Sequence, residues 1–338
     1  MKRITSILLI LLITLSLFAG CTPKAQQNET VLPYNADNAD KTDNADNVDI
    51  NDIGTQRQAM PLIWQVTDTS GQIMYLFGSI HAADSVLYPL PPTIMNAFES
   101  SDYVAVEVDV NAFENDFDAQ MAMSLRMMYQ DGKLIDDDIG SELHERAKDV
   151  FTEHEPLLDL GFPLEMLDLF KPYMWTSLLT SIIVSKSGLS EEYGLDKYFL
   201  TEAAARGKSI LEIESMDEQL DIILGFSMPL QSLLLESALN IDKSANEISE
   251  LYNLWKQGNE SGIEAVLSSE LEDIPEHLAA EYNAALMTKR NLKMAEAAKR
   301  YMSEGKNVFY IVGIAHMLGG NGIIALLRQS GYTVELLQ

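Results

Sequence analysis

Tyr75-Leu-Phe-Gly-Ser-Ile-His81 and Tyr310-Ile-Val-Gly-Ile-Ala-His316 share one pattern, an aromatic and apolar run that ends in Gly-x-x-His. An apolar run of this length reads as a buried strand. The glycine lets the backbone bend or approach a neighbour closely. Each histidine then falls at or just past the C-terminal end of its strand, where ligand sites form in sheets covered by helices. The chain has five histidines, and two of them occupy this repeated setting. Imidazole is the commonest metal ligand and the usual proton shuttle near neutral pH. The pair therefore points to one site built from both ends of the chain, with a single metal tying them together. The plainer alternative is two structural histidines at strand ends.

Each run opens the same series of elements. After His81 come a Pro-rich loop (Pro89 to Pro92), a short helix (Thr93 to Ser100) and a strand (Tyr103 to Val110). After His316 come a turn (Gly319 to Gly322), a helix (Ile323 to Gln329) and a strand (Tyr332 to Leu337). The order fits an ancient duplication or two ordinary βαβ units. Between the ends, about residues 111–305, the pattern is mostly helical. Pro172 to Ser185 reads as a buried helix and Ala279 to Glu304 as one long helix stopped by Gly305. Ser209 to Glu214 alternates as a strand does. The fold class is thus α/β: a mixed central sheet from two strand-GxxH-helix-strand units, with a large helical middle region.

Two imidazoles do not complete a metal site, and a carboxylate is the expected third ligand. Glu107 lies in Tyr103-Val-Ala-Val-Glu-Val-Asp109, on the strand face opposite Val104, Val106 and Val108. It is either solvated or aimed into a site beside the first GxxH unit. Glu214 ends its own short strand and is a second candidate. Gly319-Gly-Asn-Gly322 is either an anion-binding turn or a plain helix start capped by Asn321. His144 and His154 lack the HExxH spacing and read as surface positions.

The N-terminus has a separate logic. Met1-Lys2-Arg3 is basic, Ile4 to Leu17 is apolar, and Leu17-Phe-Ala-Gly-Cys21 resembles a lipobox. Residues 1–20 are expected to be a lipoprotein signal peptide, and Cys21 the lipidated residue. Residues 21–59 are acidic and poor in large apolar residues, as a disordered linker is. Residues 60–338 form the folded domain. Cys21 is the sole cysteine, so no intrachain disulfide is available. The expected location is the bacterial cell envelope, outside the cytoplasm, held to the lipid membrane through Cys21. With 23 Lys+Arg against 51 Asp+Glu the chain carries −28, which repels phosphate backbones and argues against a nucleic-acid partner.

Taken in order, these segments resemble the TraB/GumN family, which includes the Tiki proteins. They are Leu76 to His81, Leu90-Pro91, Val106-Glu107-Val-Asp109, Gly194-Leu-Asp-Lys-Tyr-Phe199, Glu214-Ser215, Gln219, Arg290-Asn291 and Val312 to Gly319. The resemblance implies a hydrolase-like fold with Mn²⁺- or Co²⁺-supported peptide cleavage, and Zn²⁺ suits the same donors. It points to His81, His316 and Glu107 as metal ligands, with Glu107 as ligand or general base. Arg290 would steady an oxyanion or a substrate carboxylate, and Glu214 would orient a ligand histidine. The expected substrate is an extracytoplasmic peptide or polypeptide. The alternative is a non-catalytic protein that captures a peptide signal in the same pocket.

Overall fold

The computed structural model describes residues 59–154, 163–269 and 274–337. The leader, Cys21 and the acidic stretch through residue 58 lie outside them. Strands β1 (Ile63–Thr67), β2 (Ile73–Ser79), β3 (Tyr103–Val106), β4 (Ser209–Glu212), β5 (Val308–Gly313) and β6 (Thr333–Leu337) form one sheet in the order β4-β3-β5-β2-β1-β6. The pairs β2–β5, β5–β3 and β3–β4 are parallel. β1 is antiparallel to both of its neighbours. Four adjacent strands, β4, β3, β5 and β2, therefore end at one edge. The chain leaves that edge through Glu214, Glu107, His316 and His81.

The two GxxH strands are direct neighbours, with Gly78 opposite Val312 and Ser79 opposite Gly313. Parallel strands need helical crossovers, and these bury both faces of the sheet. Leu76, Phe77, Phe309 and Ile311 are accordingly fully buried. Helix Pro92–Ser100 connects β2 to β3, and its proline sits in the first turn, where no N–H is needed. Helix Leu195–Arg206 ends on Gly207 at φ 65, a left-handed cap that turns the chain into β4.

The middle region is mostly helical, as its pattern predicts. Helix Pro172–Lys186 is buried nearly all round, the fate of a helix apolar on every face. Helix Ile241–Lys256 is fastened to β2 by Trp255. Its Nε1–H donates to the Gly78 carbonyl at 2.8 Å, and its ring meets Phe77 edge-on at 6.4 Å. Gly78 also lets Ile314 pack closely, because a Cβ would lie 2.3 Å from Ile314 Cδ1 and 3.3 Å from its Cα and would force Ile314 to shift. Among the described residues no single helix is long and apolar enough to cross a membrane.

Some local expectations change. The strand expected through Val110 stops at Val106, because Asp109 caps helix Val110–Glu114 by accepting from the Ala112 N–H at 2.9 Å. The long helix expected from Ala279 is wound as π-helix over Asn283–Thr288 before α-helix resumes at Lys289–Ser303. Helix Ile323–Gln329 starts from Gly322 without a side-chain cap, so Asn321 does not cap it. The nearby Gly319 N–H donates to the Glu264 carboxylate at 2.9 Å, so an acidic side chain of the protein itself meets this turn. His144 is buried, not on the surface. It lies on the same helical stripe as Ala147 and Phe151, with Nε2 2.8 Å from Asp168 and its ring 5.4 Å from Trp175.

Replacing Trp255 by Phe removes the buried bond to Gly78. Urea unfolding followed by circular dichroism is expected to show a loss of about 1–3 kcal/mol. An unchanged midpoint would mean that this bond does not anchor the helical region.

Candidate catalytic cleft

A cleft of about 660 Å³, counting its solvent-open space, lies at the edge where the parallel strands end. Leu189, Ile248, Leu251, Leu267 and Ile314 contribute apolar walls, and Ser79, His81, Glu107 and His316 bring the polar groups. Few polar groups in an apolar cleft is the usual composition of a small-ligand site.

His81 follows β2. Its Nδ1 lies 2.8 Å from Asp196 Oδ2, and the other Asp196 oxygen accepts from the Ser79 hydroxyl at 3.0 Å. A carboxylate behind Nδ1 fixes the ring and turns Nε2 toward the opening. Gly194 allows this packing, since a Cβ there would lie 2.3 Å from the His81 carbonyl oxygen. Burial alone would lower the His81 pKa, but Asp196, with Glu107 adding, raises it to about 9.

Glu107 sits just beyond β3 and is buried. Oε1 accepts from the Gly313 N–H at 2.7 Å, and Oε2 accepts from Arg290 Nη2 at 2.5 Å. Burial alone would raise its pKa; the Arg290 guanidinium chiefly, with the Gly313 N–H, lowers it to about 2. Glu214 lies beside it across the continuing strands, its N–H donating to the Glu107 carbonyl at 2.9 Å. The Glu214 carboxylate accepts from Arg290 Nε at 2.9 and 3.1 Å, from Nη2 at 2.7 Å, and from Gln219 Nε2 at 3.1 Å.

His316 lies in the short helix that follows β5. Nε2 is 3.1 Å from Arg290 Nη1, and Nδ1 is 2.7 Å from Asn291 Oδ1. Burial and the adjacent guanidinium lower its pKa to about 3, so the ring is neutral at physiological pH.

The structure thus brings His81, His316 and Glu107 to the cleft. It places Arg290 and Glu214 directly beneath, outside the cleft lining. A Cβ built on Gly313 would lie 3.4 Å from Glu107 Oε1, 3.7 Å from His81 Nε2 and 3.8 Å from His316 Cδ2. The missing side chain leaves a space that an imidazole nitrogen and a carboxylate oxygen both border. Those donor types suit Mn²⁺, Co²⁺ or Zn²⁺. Charge favours a cation as well. Two buried carboxylates, Glu107 and Glu214, share the Arg290 guanidinium, and a third, Asp196, lies against His81. Even a proton on His81 leaves one negative charge over. Among the described residues, no three His, Cys, Asp or Glu side chains are disposed to hold one metal ion.

Asp196, Asn291 and Gln219 are site residues to which the sequence pattern alone gave no role. Each is a polar group on a buried helical stripe. Asp196 shares its stripe with Phe199, Leu200 and Ala203, and Asn291 shares its stripe with Met294, Ala295 and Ala298. A lone polar residue among such neighbours was the available signal.

Residues 62–336 match the profile of the TraB/PrgY/gumN family. The chain is 22% identical over 267 residues to the uncharacterized protein YbaP of Escherichia coli K12, covering 78% of this chain and 90% of that protein. It is 22% identical to human metalloprotease TIKI1 and 26% identical to metalloprotease TIKI2 of Xenopus tropicalis. Each alignment covers 77% of this chain but only 59% and 57% of the relative. The chain therefore spans less than two thirds of the length of the Tiki proteins that it matches. No solved structure matches.

Arg290→Met leaves two carboxylates buried without their cation and is expected to destabilise the fold by about 3–5 kcal/mol at pH 7. The Glu107 pKa is depressed in the folded state, so its pairing contributes above its ordinary value of 4.5 and is lost as pH falls toward 2. The difference between wild type and Arg290→Met in urea unfolding should therefore narrow between pH 7 and pH 3. A difference that stays constant would show that Glu107 is not held ionised by Arg290.

Proposed function

The chain belongs to the TraB/PrgY/gumN family, and from that membership and the floor of the cleft we propose a metal-dependent hydrolase that cleaves an extracytoplasmic peptide or polypeptide, tethered to the cell envelope by a lipid on Cys21. The observation that carries this is the pairing of a free His81 Nε2 with an ionised Glu107 around one space at the end of the parallel strands. The names of the Tiki relatives support a metal and peptide-bond chemistry.

His81 and Glu107 would hold the cation. When bound, it supplies a lowered pKa for a coordinated water and polarisation of the scissile carbonyl. The residues of the chain do the rest. Asp196 keeps the His81 ring oriented through Nδ1. Glu107 is ionised at neutral pH, the state required to take a proton from the attacking water and return it to the leaving amine. The apolar walls exclude water and strengthen the electrostatics of the floor.

One observation favours the rival, non-catalytic peptide capture. Arg290 is engaged by Glu107, Glu214 and His316, and the Gly313 N–H is engaged by Glu107. These groups are therefore already committed and not directed at a developing oxyanion.

Peptide-library cleavage with Mn²⁺, Co²⁺ or Zn²⁺, read by mass spectrometry, separates the two. Hydrolysis is expected, and His81→Ala and Glu107→Gln should each lower it by about 100-fold or more. Tight binding of peptides that remain intact under every metal would instead establish capture.

A further inference from the structure

The two GxxH histidines occupy matching places in the sequence and at the sheet edge, but their ring nitrogens meet opposite kinds of partner. Asn291 decides the tautomer of His316. Its side-chain amide lies 2.9 Å from the Asn321 carbonyl oxygen, which can only accept. The amide nitrogen must face that carbonyl. Asn291 Oδ1 then faces His316 Nδ1 at 2.7 Å and, being an acceptor, requires the proton to be on Nδ1. The other side of the ring gives the same answer independently. Arg290 Nη1 can only donate, so His316 Nε2 at 3.1 Å must present its lone pair to the guanidinium.

An imidazole nitrogen has one in-plane lone pair. His316 Nε2 cannot hold Arg290 and a metal ion together. Displacing the guanidinium is opposed by its bonds to Glu214 and Glu107 and by its burial at 2% exposure. The His316 atom nearest the space beside Gly313 is Cδ2, at 3.8 Å from a Cβ built there. His81 is the reverse case. An acidic partner holds its Nδ1, and Nε2 faces that space together with Glu107 Oε1.

We propose that the two histidines have different jobs: His81, with Glu107, forms the cation site, whereas His316 is a neutral acceptor locked onto Arg290 by the positioning residue Asn291. Arg290 is then a permanent internal cation at the second histidine. The cation half of this inference rests on the metal-dependent reading above; the tautomer half does not.

Nitrogen-15 spectra of histidine-labelled wild-type protein at fixed pH test the tautomer without any mutation. His316 is expected to show a protonated Nδ1 and a bare Nε2, and added Zn²⁺ should perturb His81 Nε2 while leaving His316 Nε2 in place. Calorimetry with Mn²⁺ tests the site. Affinity should fall by about 100-fold or more in His81→Ala and Glu107→Gln but by less than about 3-fold in His316→Gln, whose amide oxygen can still accept from Arg290. A direct Zn²⁺ effect on His316 Nε2, or a loss in His316→Gln equal to that in His81→Ala, would overturn the division of roles. No uptake of Mn²⁺, Co²⁺ or Zn²⁺ by the wild type would overturn the cation site and the proposed hydrolase together. The His316 assignment would then be decided by its spectrum, where a proton on Nε2 refutes it.

Discussion

The guanidinium of Arg290 is the constraint on which the site depends. It joins helix Lys289–Ser303 to the ends of three strands at once, through Glu214 after β4, Glu107 after β3 and His316 after β5. Burying an ion pair carries a desolvation penalty that its attraction does not always exceed. Its value here is directional: three bonding nitrogens in one plane admit few arrangements of the three partners. With Arg290 in place, Glu107 stays charged and His316 stays neutral. The buried charge of Arg290 contributes to both states, and burial itself adds to the second.

Topology explains why the repeated motif gives a single site. β2 and β5 are adjacent and parallel, so two similar strings necessarily end side by side. A GxxH in each delivers a histidine to the same edge. The supporting helices break the symmetry. Helix Leu195–Arg206 places a carboxylate behind the first histidine, whereas helix Lys289–Ser303 places an amide and a guanidinium around the second. An acid raises the pKa of its imidazole and a guanidinium lowers it, which is how matching motifs acquire opposite protonation.

Legibility in the sequence followed the range of the determining interaction. The strand runs, the GxxH ends and the apolar helix at Pro172–Lys186 are local patterns, and they were readable. So was the choice of His81, His316 and Glu107 as residues reaching one place. The end of β3 at Val106 was missed because Asp109 had to be recognised as a cap within a β-branched run that otherwise alternates as a strand. His144 read as a surface residue because its partners, Asp168 and Trp175, come from a later segment. Asp196 and Asn291 took no role for the same reason: a polar residue on an apolar stripe declares that a partner exists, not which one. The engagement of Arg290 by three partners could not be anticipated either, since it requires all three acceptors to be placed at once.

That engagement narrows what the cleft can do. Acyl transfer needs positive charge or donors aimed at a developing oxyanion. Arg290 has its groups directed away into Glu107, Glu214 and His316, and the Gly313 N–H is held by Glu107. His81 remains as the cationic side chain turned to the opening, and the surplus of buried carboxylate around it favours either a proton or a metal ion at Nε2. A proton there gives one donor and a site suited to holding a polar group among apolar walls. A divalent ion gives a Lewis acid beside an ionised carboxylate. Under the proposed function, the two readings turn on which of these occupies His81 Nε2, and Asp196 and Glu107 favour positive charge there in either case.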